Sequence, residues 1–209
     1  NATPSILVTV SFPVGGTGSY SYQWQSSLNN SIWNNITGAT SETYQPGAMT
    51  TSLYFRRSET SGSCGTVQSN SVLITVNSPV NFGSIGSDQT ICYGSIPSLL
   101  TTVTQPSGGN NSFTYTWESS IDNTNWNVIS GATGTSYQGA SLTAKTYYRK
   151  SISDLCGTGY TNPVTITIRP DLNVGSIGSS QTICYNTPPS LLTTDVAPTG
   201  GTGTFTWLW

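Results

Sequence analysis

Apolar and polar residues alternate with a period of two along the long apolar segments of the chain. Ile6, Val8 and Val10 fall on one face, as do Leu99, Thr101 and Val103 at the matching positions further on. Phe113, Tyr115 and Trp117 share a face; so do Val72, Ile74 and Val76, with later counterparts Val164, Ile166 and Ile168. Successive side chains of a strand point to opposite sides of its sheet, so this pattern predicts half-buried strands. Nothing reads as a long amphipathic helix. Strands are predicted near 82–86, 89–93, 98–104, 113–120, 125–129, 145–153 and 161–169, with a short extended piece near 135–138. Residues 15–18 and 108–111 read as turns, because their Gly and Asn tolerate positive φ. Short strands punctuated by such turns predict an all-β chain folded as antiparallel β-sandwiches.

The alternation is itself repeated. The eleven residues from Gly83 to Tyr93 return, with one change, from Gly175 to Tyr185, an offset of 92. Trp24, Trp33, Gly38, Ala39, Thr40, Tyr44 and Tyr54 return at an offset of 93 as Trp117, Trp126, Gly131, Ala132, Thr133, Tyr137 and Tyr147. Cys64, Gly65, Thr66 and Asn70 match Cys156, Gly157, Thr158 and Asn162 at 92. Such a period predicts tandem modules of about 90 residues. Residues 1–78 form a copy lacking its first strand or strands, 79–170 a complete copy, and 171–209 the N-terminal part of a third, which stops just after Trp207. The natural protein is expected to extend in both directions. Pro79 and Pro170 lie in the short joints. Proline limits backbone freedom, so a semi-rigid rod is expected.

Composition narrows the function. Only 7% of residues are charged and the net charge is −2, with no basic cluster beyond Arg56-Arg57 and Arg149-Lys150. Nucleic-acid binding needs a positive footprint and is excluded. No apolar run reaches the length of a membrane span, so no membrane insertion is expected in this segment. Aromatics reach 11% and supply material for a core.

Each full copy carries an early and a late cysteine. In the middle copy, Cys92 and Cys156 are expected to form an intra-module disulfide closing a loop of about 65 residues, worth on the order of 4 kcal/mol. That bridge implies an oxidising, extracellular destination. Cys64 and Cys184 belong to different, incomplete copies and are expected to be unpaired within this segment. There is no histidine and no C-x-x-C pair. Metal binding is therefore disfavoured, and no cofactor is implied.

Catalysis is disfavoured too. Without histidine the usual Ser–His or Cys–His machinery cannot be built. The acids do not recur: Glu118 aligns with Gln25, and Asp122 with Asn29. No residue is a catalytic candidate. Trp33 and Trp126 each follow a polar stretch, 26–32 or 119–125. They are either sugar-stacking platforms or aromatics packed over the sandwich edge, and their fixed frame of Gly-Ala-Thr and Tyr favours packing. Trp24, Trp117 and Trp207 are assigned to the core by alternation. Residues 122–125 could suggest calcium, but one aspartate in a polar loop reads better as a turn residue. Arg56 and Arg149 could bind anions; an outward arginine whose stem covers an aromatic is the favoured reading. Asn-x-Ser/Thr triplets at Asn1, Asn29, Asn35 and Asn110 matter only in a eukaryotic secretory route.

Three strings carry a family likeness: Trp117 to Ser120 with Trp126 to Thr133, then Thr146 to Lys150, and the late Cys156 to Thr158 with Asn162 to Ile168. They resemble the immunoglobulin-like tandem repeats of very large surface proteins of Bacteroidetes-type bacteria, which often accompany a type IX secretion sorting domain and gliding-associated proteins. The resemblance implies an extracellular sandwich at the bacterial cell surface, used as stalk or adhesin, with no catalytic residues. The module departs from antibody domains, where the first cysteine falls shortly before the buried tryptophan. Here Cys92 precedes Trp117 by 25 residues, so the bridge is expected nearer one end. The expected role is a non-enzymatic stalk or adhesin segment of a secreted repeat protein. The alternatives are a subunit of an extracellular filament with lateral module association and a carbohydrate-binding module array. The corresponding partners are neighbouring repeats of the same chain, other copies in a filament, or surface glycans.

Overall fold

A computed structural model describes residues 3–208. The chain divides into two compact units, residues 1–78 and 79–209. In the first, β1 (Ser21–Ser27), β2 (Asn34–Asn35), β3 (Leu53–Thr60), β4 (Thr66–Gln68) and β5 (Val72–Ile74) make one antiparallel sheet. β3 is its centre, with β1 on one side and β4 and β5 on the other. A short 3-10 turn, Gly62–Cys64, leads from β3 into β4. Leu7 bridges Tyr44 outside this sheet.

The second unit holds a fuller version. Its main sheet runs in the order β10 (Asn127–Val128), β9 (Thr114–Ser120), β11 (Thr146–Asp154), β13 (Val164–Arg169), β7 (Gln89–Cys92), and β12 (Gly157–Tyr160) also pairs with β11. A smaller layer joins β6 (Ser84–Ile85) to β8 (Thr102–Thr104) and is extended by the bridges Asn81–Ser107 and Leu100–Tyr137. β14 (Ser176–Ile177) and β15 (Thr194–Val196) repeat the β6–β8 pair. The core lies between the layers: Ile85 and Leu100 from the small one meet Trp117, Tyr148, Val164 and Ile166 from the large one.

The two long copies share their internal bonding. Trp24 Nε1 donates to the Ser41 carbonyl and Trp117 Nε1 to the Gly134 carbonyl, both at 2.9 Å. Burying an indole this way leaves no unpaired donor. The backbone N–H of each tryptophan donates to Ala39 or Ala132, again at 2.9 Å. Gly38 and Gly131 both have φ of 74°. A left-handed glycine at that point turns the chain so that the alanine carbonyl faces the tryptophan. The recurrent Gly-Ala-Thr is thus a positioning turn.

Four expectations need correction. β7 pairs with β13 in parallel, so the module is not wholly antiparallel. β12 forms in a segment where no strand was expected: Gly157 and Gly159 have weak strand propensity, yet the hairpin register with β11 carries them. The apolar set Leu99 and Val103 points outward, at 50% and 68% exposure, while Leu100 is at 1%. Ile6 and Val8 are likewise half exposed. Alternation reports which residues share a face, and the tertiary partner decides which face is covered. Finally, Trp207 is 58% exposed. Phe205 aligns with Phe113 at the 92 offset, which puts Trp207 in the place of Tyr115 and gives the place of Trp117 to Trp209. Trp209 lies outside the described residues.

Candidate functional site

The outer face of the main sheet carries a layered cation that is itself largely covered. Arg149 on β11 stands opposite Glu118 on β9. Its guanidinium carbon lies 4.2 Å from the Trp126 ring centre and 3.8 Å from that of Tyr160. Its Nε donates to Glu118 Oε2 at 2.7 Å. In the first copy Arg56 lies 4.2 Å from the Trp33 ring, and its Nε donates to Gln25 Oε1 at 2.7 Å. Guanidinium stacks on aromatic faces readily because it is planar and weakly hydrated. Trp33 and Trp126 therefore each spend one ring face on an arginine of their own module. That supports the packing reading over the sugar platform.

One residue further along, each copy buries a cation. Arg57 is 3% exposed and Lys150 fully buried. Arg57 donates from Nε and Nη2 to Glu59 Oε1 at 3.0 and 2.7 Å, and from Nη1 to Thr9 Oγ1 and the Glu42 carbonyl, both at 2.5 Å. Its guanidinium lies 4.2 Å from the Tyr22 ring. Lys150 has Ile152 where Glu59 would stand. Its Nζ donates to Thr102 Oγ1 at 2.5 Å and sits 4.8 Å from the Tyr115 ring. Desolvation pulls the Lys150 ammonium below the usual lysine range. The strand period held a signal for both: Phe55, Arg57 and Glu59 occupy one face of β3, and that face is buried.

Asp122 is a turn residue. Its carboxylate accepts from Asn125 Nδ2, the backbone N–H of Asn125 and Thr124, and Ser120 Oγ. These donors, the Asn125 side chain first, hold it well below the usual carboxylate range. Asn29 does the same work in the first copy, accepting from Ser31 N, Ile32 N and Ser27 Oγ. A side chain so occupied is local scaffolding. Among the described residues no His, Cys, Asp and Glu cluster suited to a metal occurs.

The intra-module disulfide is not formed. Cys92 and Cys156 are both exposed and no bond joins them. The sheet register explains why. Cys92 ends β7 beside Arg169, three residues past the last β13–β11 pair, Ile166 with Thr146. It therefore lies beyond the N-terminal end of β11. Cys156 lies in the turn after Asp154, beyond the C-terminal end of β11. The nine residues of β11 span about 27–30 Å at ~3.4 Å each, whereas bridged cysteines hold their Cα atoms about 4.4–6.8 Å apart. Cys64 and Cys184 are likewise exposed, and no disulfide occurs among the described residues.

The fold and these contacts define an all-β module whose charged groups work inside it. Residues 1–78 and 81–170 each match the family described as Domain of unknown function (DUF8696). The chain belongs to that family. No curated protein matches it.

Proposed function

We propose that this chain is a non-enzymatic stalk or adhesin segment of a large secreted repeat protein at a bacterial cell surface, built from immunoglobulin-like modules. The observation that carries the reading is the recurrence of one scaffold at 1–78 and 81–170 with its charged side chains turned to internal contacts. Arg56, Arg57, Arg149 and Lys150 all lie against aromatic rings of their own module. Asp122 and Asp154 hold turns, and Asp88 Oδ1 accepts from Thr165 N at 2.7 Å. A module so arranged offers length and stiffness rather than chemistry. The immunoglobulin likeness draws support from the two layers, with an early strand, β7, running parallel beside the last, β13. Antibodies raised against residues 1–209 should label intact, unpermeabilised cells of the source bacterium. Labelling only after permeabilisation would contradict the proposal.

A further inference from the structure

The late hairpin of the middle module sits where the chain enters that module. Asp154 joins the two: its Oδ1 accepts from Cys156 N at 2.8 Å and Gly157 N at 3.1 Å, while its Oδ2 accepts from Asn110 N at 3.0 Å. The turn holding Asn110 is packed against the first residues of the module, so closely that Gly109 has no room for a Cβ between Asp154 and Val80. The first copy repeats the join, with Thr17 N donating to Ser61 Oγ at 2.9 Å just ahead of Cys64. Cys92 sits at the other end, where the chain leaves: its register partner is Arg169, the last residue of β13.

The next module begins at once. Gly201 N donates to the Pro170 carbonyl at 2.9 Å, and Gly200 is pressed against the backbone of Asp171. Residues 200–203 are the third copy's version of the turn at 108–111. In both longer copies that turn is bonded to the late, cysteine-bearing hairpin. A completed third copy thus carries its late cysteine beside residues 200–203, which touch the residue following Cys92's strand partner.

We propose that Cys92 forms a disulfide with the late-hairpin cysteine of the module that follows it, the third copy's counterpart of Cys156. The link staples successive modules across their joint. The two thiols give up two protons and two electrons as the S–S bond forms. The oxidant is a disulfide donor of the oxidising compartment, which is reduced to two thiols. Spacing within the module forbids the alternative pairing, because β11 separates Cys92 from Cys156 by many times the reach of a disulfide. The inference rests on the tandem-array reading but not on surface location: a missing link leaves the stalk standing, and failed surface labelling leaves the link standing.

The test completes the third copy. Trp209 aligns with Trp117, so the 209-residue chain is extended by a second copy of residues 118–170. The protein is refolded in a buffer of reduced and oxidised glutathione, digested without reduction and mapped by mass spectrometry. The expected result is one dominant cross-linked pair, Cys92 with the added late cysteine, lost in Cys92→Ser. A Cys92–Cys156 pair, scrambled pairing, or Cys92 recovered as a thiol or glutathione adduct in the extended chain overturns the proposal. The unextended chain under the same conditions gives a second reading. There Cys92 should end as a thiol or glutathione adduct, and a bond to Cys156 overturns the proposal independently.

Discussion

Residues 1–78 and 79–170 solve one problem in two ways. Both put a cation at the same inward position of the central strand, against the same pair of aromatic positions. In the first copy Arg57 is answered by Glu59 two residues on, with further acceptors on Thr9 and Glu42. In the middle copy Ile152 replaces the carboxylate and is fully buried, leaving Lys150 with Thr102 and the rings of Tyr115 and Trp117. The middle copy trades an ion pair for apolar packing. Its core accordingly gathers Ile85, Leu100, Trp117, Tyr148, Ile152, Val164 and Ile166, where the first copy, among the described residues, buries Trp24 and Phe55 beside Pro46. Neighbouring strands also differ. β13 is flanked by β7, and Val164 and Ile166 are buried; among the described residues no strand takes the equivalent place beside β5, and Val72, the counterpart of Val164, is 39% exposed while Ile74, the counterpart of Ile166, is only partly buried. The lesson is that a repeated strand acquires its burial from the neighbours it is given.

Substitutions can break that comparison at graded depth, with stability read separately in each copy by peptide-resolved hydrogen exchange. Trp117→Ala removes the centre of the larger core and should destabilise the middle copy by about 3–5 kcal/mol. Trp24→Ala should cost the first copy less, because fewer buried neighbours lose contact. Glu59→Ile imports the middle copy's residue beside Arg57 and strands a buried guanidinium, a loss of about 3 kcal/mol. Adding Arg57→Lys should recover part of that loss, and failure to recover any would break the equivalence of the two sites.

Arg149→Ala removes a stack on two rings and a carboxylate bond, and should cost about 1–2 kcal/mol. Arg56→Ala, with one ring and a neutral glutamine, should cost less. Lys150→Met should raise the stability of the middle copy by about 1 kcal/mol near neutral pH, since it removes a buried charge that has no carboxylate partner. The unmodified lysine also carries a pH signature. Its folded pKa is depressed, so the unfolded chain binds more protons and stability rises with pH up to the ordinary lysine range. Burial raises the Tyr148 phenol, which opposes this trend only above pH ~10. As pH rises toward the ordinary lysine range the middle copy should gain stability, and the Lys150→Met chain should lack that gain. The smallest effect belongs to Asp122→Asn. Asn29 does most of this job in the first copy, but the amide NH2 of an asparagine cannot accept from Asn125 Nδ2, so the melting temperature at neutral pH should fall slightly.

Much of this was legible in the sequence. The repeat and the alternation located nearly every strand, and the fixed frame around Trp117 and Trp126 pointed to packing. Other features depend on information that spacing does not carry. The number of residues between Cys92 and Cys156 gives a loop length but not the direction of the strands that separate them. The pairing of β7 with β13 sends Cys92 to one end of the sheet, and the β11–β12 hairpin sends Cys156 to the other. Leu99 and Leu100 are adjacent leucines, and only the bridge from Leu100 to Tyr137 decides which of them faces the core. Composition records Arg57 and Lys150 only as members of two basic pairs, whereas the strand period puts them on the buried face of Phe55 and Tyr148.

The placement of the two cysteines at opposite ends of one module is the claim on which the staple depends. It can be measured directly by pulsed electron-spin double resonance, with nitroxide labels on Cys92 and Cys156 in a Cys64→Ser, Cys184→Ser chain. The account predicts a single distance of roughly 27 Å or more, the span of β11. A distance below about 15 Å, or a Cys92–Cys156 disulfide that forms before the labels can react, would contradict it.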